Sequence, residues 1–142
     1  MQEWALWALA SAVFAALTAI FAKVGLEGVD SNFATFIRTL VIAAALVLFL
    51  TYAKKWQPLG ELGARNWLFL TLSGLATGAS WLAYFKALQM GSASQVAPID
   101  KFSVVLVVVF AVMFLGERPS VREWIGIALI ASGVFTLVFA DK

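Results

Sequence analysis

Apolar runs about as long as a bilayer is thick, separated by short polar segments, organise this chain from end to end. Five of them stand out: Trp4 to Ala22, Asn32 to Ala53, Trp67 to Gln89, Ser94 to Leu115 and Val121 to Ala140. Each approaches the ~20 residues that a helix needs to cross the hydrocarbon layer. The connections, Lys23 to Ser31, Lys54 to Asn66, Met90 to Ala93 and Gly116 to Ser120, are too short for a soluble domain. The predicted fold is therefore an all-α integral membrane protein with five transmembrane helices, a single domain over residues 1–142. Whatever the chain does must happen inside the helices.

Polar residues within the spans fall into lanes. In the first span Trp7, Ser11, Phe14 and Thr18 recur at three- or four-residue spacing, while Ala8, Ala12, Ala15, Ala19 and Ala22 form a smooth lane suited to close helix packing. Ser11 and Thr18 either line a path or bond their own helix carbonyls. The second span carries Thr35, Arg38 and Thr39 on one face, with Arg38 about two turns from the end. Such an arginine either snorkels to the interface or attracts an anion at a vestibule. A partnership with Asp30 or Asp100 is a further option.

The third span holds the stripe Ser73, Thr77, Ser80 and Tyr84, beside the pair Gly74 and Gly78. The glycines signal little more than the close approach of another helix. Hydroxyls next to Trp81 and Phe85 have more chemistry in them, since small-molecule sites are mostly apolar with a few placed polar groups. Trp81 is nine residues before Met90, deeper than an interfacial belt residue sits.

The fourth span contains Asp100 and Lys101 side by side. An isolated Asp or Lys at a helix centre costs about 2.5 to 3.5 kcal/mol on insertion scales, so such residues face protein or a wet cavity. Pro98 lacks the amide that the Ser94 carbonyl would accept, which predicts a kink at the charged segment. Neighbours in a regular helix point ~100° apart, so Asp100 and Lys101 are not expected to face each other within one helix. Lys101 is expected to meet a carboxylate, Asp100 of its own or another protomer. Asp100 is expected to meet Arg38, Lys86 or Lys101. The pair either fixes helix register as a structural ion pair or forms a coupling site whose proton occupancy changes with substrate. The fifth span, with Trp124 at its start and Gly126 and Gly133 on one face, reads as a packing helix.

Composition narrows the chemistry. The chain is 63% apolar and 13% charged, with neither cysteine nor histidine. Disulfides and thiolate chemistry are excluded, and the commonest metal ligand and neutral-pH base is missing. No enzyme activity, metal or cofactor is expected. A net charge of +2 spread over loops offers no patch for nucleic acid. The residues before the first span, Met1, Gln2 and Glu3, include no basic side chain, so a cleaved signal peptide is not expected.

Lys and Arg near the span ends set orientation. Lys54, Lys55, Arg65, Arg118 and Arg122 share the side of the N-terminus, against Lys23 and Lys142 on the other, with Arg38 and Lys86 inside the helix ends. Counted either way, the bias favours a cytoplasmic N-terminus but is weak enough to permit insertion in both orientations.

The segment Ala97-Pro98-Ile99-Asp100-Lys101-Phe102-Ser103, the run into Phe114-Leu115-Gly116-Glu117-Arg118, then Trp124-Ile125-Gly126 and Ser132-Gly133-Val134, follow one another in an order that resembles the EamA domain of the drug/metabolite transporter superfamily. Trp81 to Leu88 fits the same pattern. The resemblance covers essentially the whole chain and points to the short, five-helix bacterial and archaeal branch, although the Asp100-Lys101 pair departs from the apolar residues common in longer members. It implies a cavity lined by the first four helices, with the fifth bracing them, in the inner membrane of a prokaryotic cell.

One five-helix unit is small for alternating access, which transporters achieve with inverted repeats meeting around a midplane site. With an odd number of spans, two copies reproduce that arrangement only when one inserts upside down. The expected function is export or exchange of a small organic metabolite or drug-like molecule, proton-coupled, by an antiparallel homodimer. Asp100 and Lys101 are the coupling charges, Pro98 the kink, and Ser11, Thr18, Arg38, Ser73, Thr77, Ser80, Trp81 and Tyr84 line the path. The alternative is a non-transporting structural or regulatory subunit whose buried charges fix assembly.

Overall fold

The computed structural model describes residues 3–139. The predicted end of the fifth span at Ala140, and Met1, Gln2 and Lys142 used in reading the termini, lie outside them. The described elements are α1 (Glu3–Gly25), α2 (Ser31–Ala53), a short 3-10 turn (Leu59–Glu61), α3 (Ala64–Met90), α4 (Ala93–Asp100), α5 (Phe102–Phe110), a π-helical turn (Ala111–Leu115) and α6 (Val121–Val138). α4, α5 and the π turn together form one span, so five helical stretches are long and apolar enough to cross a membrane. α3 begins ahead of the predicted Trp67, taking Arg65 and Asn66 from the connection into its first turn.

The caps explain where these helices start and stop. Asp30 precedes α2, and its Oδ1 accepts from the amides of Asn32 at 2.9 Å and Phe33 at 3.1 Å. Such a cap contributes about 1 kcal/mol and satisfies amides that have no partner inside the helix. α6 opens with a reciprocal box, in which the Glu123 amide donates to Ser120 Oγ and the Ser120 amide donates to the Glu123 carboxylate. Gly116, at φ +69°, closes the preceding π turn, and the Glu117 amide reaches back to the Ala111 carbonyl at 3.2 Å. That backbone conformation is open to glycine without a Cβ penalty.

The chain divides into two compact units. Residues 22–90 form one, in which α2 packs on α3. Leu26, Ser31, Thr35, Phe85 and Leu88 are buried there, Leu88 completely. Two side chains tie the start of this unit to the end of α3: Lys23 Nζ donates to the Leu88 carbonyl at 2.6 Å, and Gln89 Nε2 donates to the Val29 carbonyl at 3.0 Å. Both act on carbonyls that the helix end or the connection leaves without an intrahelical donor.

Residues 3–21 and 91–139 form the other unit, in which α4 and α5 pack against α6. Phe102 meets Phe135 edge to face, with ring centroids 5.7 Å apart, a geometry that brings a positive ring edge to a negative ring face. Ala111, at the start of the π turn, and Val134 on α6 are buried. The predicted packing glycines of α6, Gly126 and Gly133, have open space where a Cβ would stand.

Candidate functional site

In the unit of residues 22–90, the third-span aromatics and the second-span arginine come together. Trp81 and Phe85 are four residues apart on α3 and therefore share a face. The Arg38 guanidinium carbon lies 4.2 Å from the Trp81 ring centroid and 5.1 Å from that of Phe85. Both contacts are within the range in which a ring quadrupole attracts a cation. Tyr84, whose ring meets Phe85 at 6.4 Å, is within electrostatic reach of the same guanidinium. Arg38, Trp81 and Tyr84 are half-buried and Phe85 is buried.

Depth follows from helix rise. Arg38 is seven residues beyond the first residue of α2, and Trp81 nine residues before the last of α3. At ~1.5 Å per residue these are roughly 10 and 13 Å along their helices. The cluster therefore sits inside the spans.

Of the partners considered for Arg38, Asp30 is not one: no ion pair joins the two, and Asp30 Oδ1 caps α2. The signal was present: an Asp directly before Ser31-Asn32 and an apolar run is a helix start. The hydroxyls of α2 and α3 are also partly committed. Thr35 and Thr39 donate to the carbonyls of Ser31 and Thr35 at 2.8 Å, and Thr77 donates to the Ser73 carbonyl at 2.9 Å. Such back-bonding leaves a hydroxyl its lone pairs but removes its proton from use. Ser73, Thr77 and Ser80 are exposed on the stretch of α3 leading to Trp81. No Cβ at Gly74 or Gly78 would meet a neighbour, so the close approach expected there is absent among the described residues.

The other unit holds the charged pair. Asp100 is the eighth of the 23 residues of Ala93–Leu115, roughly 12 Å into the span. The helix breaks there. The Lys101 amide bonds to the Pro98 carbonyl and the Val104 amide to the Lys101 carbonyl, both at 3.0 Å, in the three-residue spacing of a tight turn. α4, with Pro98 inside it, ends at Asp100 and α5 begins at Phe102, so the discontinuity falls within the charged segment.

Lys101 Nζ and Asp100 Oδ2 are nonetheless 3.5 Å apart, a distance that the long lysine side chain bridges although adjacent positions point ~100° or more apart. The pair is open, with side-chain exposures of 55% for Lys101 and 37% for Asp100. Ser11 is exposed and Thr18 half-buried on α1. Sequence reasoning missed Lys23, which the spacing assigned to a loop and the fold uses to cap α3. It also missed Ser31, which is buried with no hydrogen bond to its hydroxyl.

Comparisons with known proteins add the following. A sequence model described as the EamA-like transporter family matches residues 2–139. The "Uncharacterized transporter in cobO 3'region" of Sinorhizobium sp is 54% identical over 136 residues, which are 96% of this chain and 96% of that protein. The "Uncharacterized transporter YxxF" of Bacillus subtilis (strain 168) is 27% identical over 135 residues, 94% of this chain but 42% of that protein. The "Probable 4-amino-4-deoxy-L-arabinose-phosphoundecaprenol flippase subunit ArnE" of Yersinia pestis (strain Pestoides F) is 30% identical over 69 residues, 49% of this chain and 60% of that protein. No solved structure gives a significant match.

Proposed function

Since the chain belongs to the EamA-like transporter family, we propose that it is a secondary transporter that exports or exchanges a small organic molecule against protons, as an inverted homodimer in a prokaryotic inner membrane. The observation that carries this reading is the broken fourth span, with the Asp100–Lys101 pair 3.5 Å apart in its break. A charged pair at that depth is rare and expensive unless it faces a wet path. Protonation of Asp100 removes the charge that holds Lys101, so proton and substrate compete for one arrangement of the site. This is the linkage that exchange requires.

Arg38, Trp81 and Tyr84 form the substrate end of the path, with Ser73, Thr77 and Ser80 leading to it along α3 and Ser11 and Thr18 contributed by α1. Pro98 supplies the weak point at which the fourth span bends. Two copies are required because alternating access needs two repeats around one site. YxxF, of which the aligned 135 residues are 42%, is more than twice as long as this chain, consistent with two such units joined in one polypeptide. The weak bias of Lys and Arg allows opposite insertion of separate copies, and its direction favours a cytoplasmic N-terminus for the majority.

A second reading is favoured by one observation, that the relative ArnE bears the name of a flippase subunit. In that reading the chain does not transport alone, and Asp100 and Lys101 fix its assembly with another membrane protein.

The test begins with the compound from a metabolite and cation library that most raises the melting temperature of the purified protein. In proteoliposomes with an imposed pH gradient, the protein should move that compound uphill. Asp100→Asn should abolish the pH dependence while leaving exchange measurable, and Trp81→Ala should weaken binding without removing proton sensitivity. Uphill transport with unchanged pH dependence in Asp100→Asn overturns the coupling role. Binding without movement in any vesicle favours the subunit reading.

A further inference from the structure

We propose that the Arg38–Trp81–Phe85 cluster captures an anionic group, a carboxylate or a phosphate, and that the substrate class is an organic anion. The identification of that anion as cargo rests on the transport reading above; the anion site itself does not.

Three observations lead here. First, the guanidinium lies over the faces of two rings, 4.2 Å from the centroid of Trp81 and 5.1 Å from that of Phe85. Ring faces are what attract a cationic ligand in an aromatic site. Here Arg38 already occupies them with its own charge, so an incoming ammonium would meet a filled cage and a like charge. Second, contact with the rings spends none of the guanidinium's hydrogen-bond donors. Its edge carries five N–H donors in a fork that matches carboxylate and phosphate oxygens.

Third, no carboxylate of its own unit takes up that edge. The acids of residues 22–90 are Glu27, Asp30 and Glu61. Asp30 caps α2 with its carboxylate, and Glu27 and Glu61 lie outside the long helices. No hydrogen bond or ion pair joins Arg38 to another described residue of this unit. A permanently charged group about two turns inside a span, with its donors unmet among the described residues of its own unit, calls for a counter-ion from outside that unit. The half-buried Trp81 and Tyr84 leave aromatic surface for the rest of the molecule.

The same chemistry fits an anionic metabolite or a lipid phosphate, and the experiment separates them. The protein is placed in nanodiscs of phosphatidylcholine alone, and melting is followed with a metabolite library sorted into anionic, neutral and cationic sets. Stabilising compounds should come from the anionic set. Their half-saturating concentration should rise at least tenfold in Arg38→Gln, with only part of the loss recovered by Arg38→Lys, which keeps the charge but lacks the fork. If Arg38→Gln does not assemble, Arg38→Lys and Trp81→Leu serve in its place, each weakening the anion specifically.

A parallel set of nanodiscs contains phosphatidylglycerol. An Arg38-dependent stabilisation there, without any from soluble anions, keeps the anion site and assigns it to a lipid headgroup. The proposal is overturned if the stabilising compounds are cationic or neutral, if anions act equally on Arg38→Gln, or if neither soluble anions nor phosphatidylglycerol stabilise the protein. A cation that binds and is carried in proteoliposomes sinks the anion site and leaves transport standing. An anion that binds through Arg38 but is never carried does the reverse.

Discussion

Removing Asp100 and Lys101 singly and together measures whether their surroundings are wet or dry. Two unit charges 3.5 Å apart attract by about 1.2 kcal/mol in a water-like dielectric and by about 5 kcal/mol at an effective dielectric of about 20. The pair stands open, at 55% and 37% exposure, and no hydrogen bond from another described residue joins the Asp100 carboxylate. A dry ion pair needs such bonds to offset the loss of water. On the transport reading proposed above, water supplies them, which puts the expected coupling near the lower value, about 1 kcal/mol. The assay is unfolding in bicelles for the protein, Asp100→Ala, Lys101→Ala and the double variant, with the coupling taken as the departure from additivity. Repeating it from low to high salt adds a second reading, since a wet pair weakens as the Debye length shrinks. A coupling of about 3 kcal/mol or more that ignores salt would refute the wet path. Strictly additive losses would refute the pairing itself.

Other outcomes follow from the same coordinates. Ser31 is 1% exposed and its hydroxyl has no partner, so Ser31→Ala should be neutral or stabilising by up to about 1 kcal/mol, because an unsatisfied buried hydroxyl costs stability. A loss larger than that in unfolding measurements would reveal a partner for the hydroxyl. Lys23→Met leaves the Leu88 carbonyl without its donor at 2.6 Å and should cost about 1.5 to 3 kcal/mol, as for a hydrogen bond to a charged group; an unchanged melting temperature would contradict it. With no native cysteine, single cysteines at Gln57 and Ser92 report topology directly. In intact cells each should show a mixed population towards an impermeant label, and labelling at Ser92 alone would eliminate insertion in both orientations.

The five spans are legible in the sequence because bilayer thickness and hydropathy are one-dimensional quantities. The pairing of Asp100 with Lys101 is not legible in the same way. The 100° step per residue puts the two positions on different faces, but it does not register that a long lysine side chain can reach round to the carboxylate, here 3.5 Å away. Arg38 illustrates a different limit. Its lane on α2 and the depth of Trp81 on α3 can be read along the chain, but that the two faces meet depends on how α2 and α3 pack. Asp30 and Ser120 were within reach as helix starts, Ser120 through the Ser-x-x-Glu spacing to Glu123. Lys23 was not, since the carbonyl it caps is 65 residues away.

The division of the chain also bears on how it is made. The unit of residues 22–90 is one uninterrupted stretch, whereas the other draws on residues 3–21 and 91–139. Once Met90 has left the ribosome, the Lys23 cap on Leu88, the Gln89 bond to Val29 and the Arg38 stack on Trp81 all have both partners available. The 69 residues that separate the two parts of the other unit take roughly 3 to 14 seconds to synthesise at ~5 to 20 residues per second. Biosynthesis thus completes both faces of the arginine-bearing unit before the chain reaches Asp100, Lys101 and the α6 helix that packs beside them.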